Sequence, residues 1–263
     1  RNRPSINVAV LQGNIDQSVK WTPGYRQETL KIYERLIRKA VAGGAQMVVW
    51  PEASVPYYFN LSAEAQLSLR QMAVMHDVPM LFGSLSARQA GGMDFFYNSA
   101  YIMSAEGEVG GRYDKMHLVP FGEYVPLARL LPIDRISAVA GNFSAASEVE
   151  LLGTGSFRIA PLICYESIFP EITREAFRKG ANMAAVITND AWFGPTSAPY
   201  QHLAMAVFRA VEARTYLARA ANTGISAFIA PSGKIVGTLP LRQEGILVND
   251  VQVGGATQGS HDD

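Results

Sequence analysis

The sequence predicts an α/β layered domain, and three observations carry the prediction. Short β-branched apolar runs alternate with amphipathic helical stretches, the rhythm of strands laid between helices. Those runs show little polar alternation, so they read as strands buried on both faces. Hydrophobic residues make up 48% of the 263 residues and charged ones 17%, which supplies apolar side chains for a sizeable core.

In chain order, "INVAVLQ" at 6–12 reads as the first strand. "YRQETLKIYERLIRKAVAGG" places Leu30, Ile32, Tyr33, Leu36, Ile37 and Val41 at helical spacing, and Gly43-Gly44 stops it. "AQMVVW" is a second strand ended by Pro51, "AEAQLSLRQMAVMHD" a second helix and "PMLFGSL" a third strand. "YNSAYIMSAEGEVGGRYDK" reads as two strands about an Ala-Glu-Gly turn. After a loop-rich middle come the strand "SFRIAPLIC", the helix "PEITREAFRKG" and the strand "MAAVITN". "YQHLAMAVFRAVEARTYLARAAN" reads as one long helix. The strands "GISAFIA" and "KIVGTL", joined by Pro231-Ser232-Gly233, are expected to close the domain.

No repeat or composition shift marks an internal boundary, so 1–263 is expected to be one domain. Residues 121–147 break the rhythm, because prolines interrupt Val125, Leu127, Leu130, Leu131, Ile133 and Ile136. A loop of this length suggests a lid or binding arm. It either packs on the core or meets a greasy substrate or a membrane surface.

Composition excludes several functions. Lys plus Arg equals Asp plus Glu, 23 each, so no charge excess argues for nucleic acid. The single cysteine, Cys164, makes no internal disulfide and no thiolate metal site. His76, His117, His202 and His261 are never paired at i, i+4, so no metal is expected. No window reaches the roughly 18 uninterrupted apolar residues of a membrane span, and no signal peptide opens the chain. Both ends, "RNRPSINVAV" and "GGATQGSHDD", read as cuts from something larger or as a processed product.

Three strand ends carry a polar residue that a core would not ask for. Glu52 follows "MVVWP", Lys115 follows "VGGRYD" and Cys164 follows "APLI". Singly, each has an ordinary explanation: a solvated Glu, a hairpin Lys, a small core thiol. Ligands in open α/β folds gather at the carboxyl ends of strands, so three complementary residues there suggest one site. A thiol is mostly protonated at neutral pH and needs a base to become a nucleophile. A carboxylate serves when partial burial raises its proton affinity. Glu52, beside Trp50 and Pro51, has the apolar neighbours for that. Lys115 would then support the oxyanion formed on a carbonyl, with the Tyr165 N–H as a second donor. A Ser-His-Asp or Cys-His device fits less well, because no histidine keeps comparable company.

Glu, Lys and Cys in this order resemble the catalytic triad of the nitrilase (carbon–nitrogen hydrolase) superfamily, which implies a four-layer α-β-β-α sandwich. Within it, "QGNIDQSVKW", "VVWPEASVP", "YDKMHLVPFGEYVP", "LICYESIFPE", "NDAWFG", "QHLAMAVFRAVEARTYLARAANTGISAFI" and "PSGKIV" resemble the bacterial apolipoprotein N-acyltransferase branch nearly end to end. The resemblance implies Glu52 as base, Lys115 as oxyanion support and Cys164 as nucleophile, with Glu123 as a second required glutamate. It also implies roles for Tyr165, Glu166 and Trp21, and Asn98 is a candidate to orient the triad. Trp21 has the alternative of a core aromatic, and Glu123 that of a solvated loop carboxylate.

The implied reaction is a two-step acyl transfer without metal or organic cofactor. Cys164 takes an acyl group from a phospholipid, and the α-amine of an apolipoprotein's N-terminal diacylglyceryl-cysteine then accepts it. Family members carry this domain between transmembrane helices, on the periplasmic face of the bacterial inner membrane. The chain is therefore expected to be an excised soluble domain or a stand-alone relative. Two other functions stay open: a soluble amidase or nitrilase-type hydrolase on the same fold, and a silent scaffold domain that keeps the triad.

Overall fold

In the computed structural model, which describes residues 5–124, 143–194 and 196–253, two stacked β-sheets are covered on both outer faces by helices. The first half runs β1 (Ser5–Gln12), α1 (Gln17–Lys20), α2 (Pro23–Ala42), β2 (Met47–Val49), β3 (Val55–Tyr58), α3 (Ala63–His76), β4 (Met80–Ala90), β5 (Met93–Met103) and β6 (Val109–Asp114). The second half runs β7 (Leu152–Thr154), β8 (Phe157–Ile163), α4 (Pro170–Arg178), β9 (Met183–Thr188), α5 (Ala198–Ala213), β10 (Leu217–Ala221), β11 (Ser226–Ile229), β12 (Ile235–Leu239) and β13 (Gly245–Gln252).

The first sheet is ordered β13-β1-β2-β4-β5-β6, with β3 also on β4, and the second β12-β11-β10-β9-β8-β7. β1, β2 and β4 are parallel, as are β8, β9 and β10.

Period-two geometry sorts each strand between two cores. On β1, Val8 and Val10 face the space between the sheets, while Ala9 and Leu11 pack with Leu36 and Ile37 of α2. On β9, Met183, Ala185 and Ile187 enter the inter-sheet core, while Ala184 and Val186 meet Ile172 of α4 and Leu203 of α5. Both faces of these strands are dry, and this is why the sequence shows apolar runs without alternation. Three cores between four layers make the expected α-β-β-α sandwich.

The long helix expected over 200–222 is a correction. Arg214 turns left-handed at φ 49 and Thr215 N–H donates to Ala210 C=O at 3.1 Å, which ends α5 at Ala213. "LARAA" then forms β10, buried at all five positions between β9 and β11. Alanine favours a helix locally, but here its small side chain lets layers approach on both faces of a strand.

The chain also does not close on β12. β13 crosses back to the first sheet and pairs with β1 from Ser5↔Gln252 to Gln12↔Gly245. β4 and β5 are longer than expected, forming a hairpin from Met80↔Met103 to Ala90↔Met93. β3, β7 and α1 were not expected. Residues 125–142 of the expected arm lie outside the described residues. Among the described residues, no helix is long and apolar enough to cross a membrane.

Candidate active site

Glu52 follows β2, Lys115 follows β6 and Cys164 follows β8, so two sheets deliver three chain ends to one place. The approach is close. A Cβ on Gly83 of β4 would lie 2.7 Å from the Glu52 Cα and nearer still to Ala53 N, so the Glu52 turn tolerates only glycine beside it.

Glu52 is 7% exposed and every contact on it is directional. Its Oε1 accepts from Asn98 Nδ2 at 2.7 Å and lies 3.6 Å from Lys115 Nζ. Its Oε2 accepts the Asn189 N–H at 2.8 Å. Glu123 mirrors it: Oε1 accepts from Lys115 Nζ at 2.8 Å and Asn98 Nδ2 at 2.9 Å, and Oε2 accepts the Val119 N–H at 2.9 Å. One amide and one ammonium therefore span two carboxylates, so Asn98 and Glu123 belong to the charged cluster itself. Burial works against the Lys115 ammonium, but Glu52, Cys164 and Glu123 outweigh it and hold the group above its ordinary value. Lys115 stays cationic.

Cys164 lines the same cleft. Burial first, then the Glu52 charge, push its thiol up to about 12, with Lys115 and Thr188 opposing. The resting group is a thiol, and Lys115 stands by as the cation its thiolate would meet.

The Cys164 backbone is left-handed at φ 53, a strained state for a residue with a side chain. Its carbonyl is held by Ser167 Oγ–H at 3.0 Å and by His202 Nε2 at 2.9 Å. The His202 Nδ1 lies 3.0 Å from Asp190 Oδ1, and Asp190 Oδ2 takes the Arg219 Nη2 at 2.8 Å. A Cβ on Gly224 would collide with Asp190, so glycine leaves room for this buried network.

Glu166 is fully buried and lies behind the Cys164 turn. Its carboxylate accepts the N–H groups of Ile163 (2.8 Å), Met116 (2.7 Å) and His117 (3.2 Å) and the Tyr113 hydroxyl (2.8 Å). It thereby ties the Cys164 turn to the Lys115 segment. Burial raises its carboxyl, against the pull of these donors and Lys115. The Tyr165 ring packs edge-on against Phe169 at 5.1 Å, and Phe169 stacks on His117. Trp21 lines the cleft.

That cleft has a volume of about 1200 Å³. Its walls beyond the charged cluster are largely apolar, with Pro56, Leu61, Leu85, Val119, Phe121 and Phe143 among them. A charged cluster set among largely apolar walls suits an acyl substrate with a reactive carbonyl. Among the described residues, no group of His, Cys, Asp and Glu is arranged to hold a metal.

A family model described as carbon-nitrogen hydrolase matches residues 7–259. The chain belongs to the carbon-nitrogen hydrolase family. Its relatives include an apolipoprotein N-acyltransferase from Geobacter metallireducens, 47% identical over 251 residues, covering 95% of this chain and 48% of that protein. Another, from Agrobacterium fabrum, is 39% identical over 254 residues, covering 92% of this chain and 47% of that protein. The chain spans about half the length of the curated relatives it matches.

Among solved structures, a carbon-nitrogen hydrolase from Helicobacter pylori superposes with TM-score 0.74 at 18% identity, covering 94% of this chain and 89% of that one. A nitrilase-superfamily amidase from Nesterenkonia superposes with TM-score 0.70 at 24% identity, covering 94% and 90%. These two share the carbon-nitrogen hydrolase fold with this chain.

Sequence reasoning missed His202, Asp190, Arg219 and Lys20. Arg219 and Asp190 carried a signal in hindsight, the first a charge inside the apolar stretch of β10 and the second a charge just after apolar β9. His202 carried none, since it reaches the backbone of Cys164 rather than its sulfur. Burial opposes ionisation of Asp190, but Arg219, His202 and Thr188 win and hold its carboxyl below its ordinary value. A depressed acid stabilises the fold above its unfolded value and loses that contribution as pH falls through the folded one. Asp190→Asn is therefore expected to be less stable than wild type by about 3–5 kcal/mol near neutral pH, the gap narrowing as pH falls through the ordinary carboxylate range and on toward the lowered folded value. Urea unfolding across pH 3 to 7 checks this, and a constant gap contradicts it.

Proposed function

We propose that this chain is the catalytic domain of an apolipoprotein N-acyltransferase. The observation that carries the reading is the convergence of Glu52, Lys115 and Cys164 in one large, mainly apolar cleft. Relatives bearing that name match almost the whole chain.

In the first step, Glu52 takes the Cys164 thiol proton and the sulfur attacks the ester carbonyl of a phospholipid. Lys115 and the Tyr165 N–H stabilise the oxyanion. The carbonyl re-forms as the glycerol oxygen leaves, protonated by Glu52, and a thioester remains on Cys164. In the second step, the α-amine of an apolipoprotein's diacylglyceryl-cysteine attacks the thioester. Glu52 accepts the amine proton, the new amide forms, and the proton returns to sulfur. Two easier steps replace one hard one.

Glu123 and Asn98 hold the triad's geometry, Glu166 holds the Cys164 turn, and Trp21 contributes to the cleft wall. Phe121 and Phe143, both within the 121–147 segment, line the cleft, and that arm would cover the acyl chain or rest on the membrane. The parent protein would work at the periplasmic face of the inner membrane.

The test supplies a phospholipid with an isotope-labelled acyl chain and a diacylglyceryl-cysteine peptide. Labelled N-acyl peptide with lysophospholipid is the expected result. Labelled free fatty acid without N-acyl peptide replaces this reading with a hydrolase.

A further inference from the structure

Lys20, the last residue of α1, is 1% exposed. Its ammonium donates to the Glu52 carbonyl oxygen at 3.3 Å and lies 5.9 Å from the Trp21 ring centroid. No described carboxylate stands within ion-pair distance of it. A buried ammonium with one long carbonyl contact is an expensive feature for a core. Volume alone does not explain it, since methionine would fill the same space.

Charge accounts for it. Glu52 and Glu123 share one ion-pair partner, Lys115, so two carboxylates meet a single ammonium there. We infer that Lys20 is a positioning residue for the general base, tying down the Glu52 turn and offsetting the charge of its carboxylate. This inference rests on Glu52 acting as base for Cys164. The groups that face Glu52 are Lys115 from the end of β6, Asn98 from β5, the Asn189 N–H after β9, and Lys20 from α1. Glu123 and Cys164 stand beside Lys115, and behind them lie Glu166, which feels Lys115, and Asp190, which acts on Cys164. Burial pulls Lys20 down to about 8 and the Glu52 charge resists, so Lys20 is largely cationic at neutral pH.

The experiment compares wild type with Lys20→Met, which removes charge and donor, and Lys20→Gln, which keeps a donor without charge. Two rates are followed against pH: alkylation of Cys164 by iodoacetamide, and the p-nitrophenol burst from p-nitrophenyl butyrate. Thermal unfolding is measured alongside. Both variants are expected to slow both rates about tenfold on the acid limb of the profile, below both midpoints, with the acid-side midpoint moved up by about one unit and KM unchanged. The unfolding temperature of Lys20→Met is expected to hold or rise, because a poorly partnered charge has gone. A purely structural lysine gives the opposite pattern: lower stability and an unmoved pH profile. That pattern, or full recovery in Lys20→Gln, overturns the inference. Alkylation needs no acyl donor. A shifted alkylation profile with no wild-type burst supports Lys20 while removing the acyltransferase reading, and an unmoved profile removes Lys20 whatever the ester does.

Discussion

Lys115→Met is expected to unfold about 3–5 kcal/mol more easily than wild type and to acylate Cys164 about 10³-fold more slowly. Both effects have one source. The Lys115 side chain is 1% exposed and its Nζ lies 2.8 Å from Glu123 and 3.6 Å from Glu52. Methionine leaves two partly buried carboxylates facing each other with only the Asn98 amide between them. It also removes the cation that opposes the upward push on the Cys164 thiol. Urea unfolding and the ester burst measure the two losses separately. A stable, active Lys115→Met protein contradicts the assignment.

Glu52→Gln should separate chemistry from stability. The amide keeps an oxygen for the Asn98 Nδ2 or the Asn189 N–H, so the turn retains its shape. It cannot take the thiol proton, and a general base is worth about 10²–10⁴-fold. The expected result is that loss in acylation rate with KM little changed. Unfolding should shift by less than in Lys115→Met. A rate within a few-fold of wild type at pH 7 moves the base elsewhere, and Glu123 is then the carboxylate to test.

What could be read from the sequence was local. β1, β2, β8 and β9 announced themselves because strands buried on two faces must be apolar throughout. Glu52 and Cys164 stood out because each ends such a run, and Lys115 because it ends the hairpin strand β6. β10 misled because Leu-Ala-Arg-Ala-Ala has a helix former's composition, and only its neighbours β9 and β11 make it a strand. β13 was invisible because its polar positions, Asn249 and Asp250, suit a strand exposed on one side. Its partner β1 lies at the other end of the chain. The second tier of the site failed for the same reason. Lys20 meets Glu52, and His202 meets Cys164, across distances in sequence that no motif encodes. The four-layer arrangement and the role of Glu123 came from resemblance rather than periodicity.

The most direct measurement is the intact mass of the protein after incubation with a phospholipid donor in the absence of any amine acceptor. A single added acyl mass on Cys164, removed by neutral hydroxylamine and absent from Cys164→Ala, is the expected result. An unmodified protein, or the same added mass on Cys164→Ala, contradicts a covalent intermediate at this sulfur.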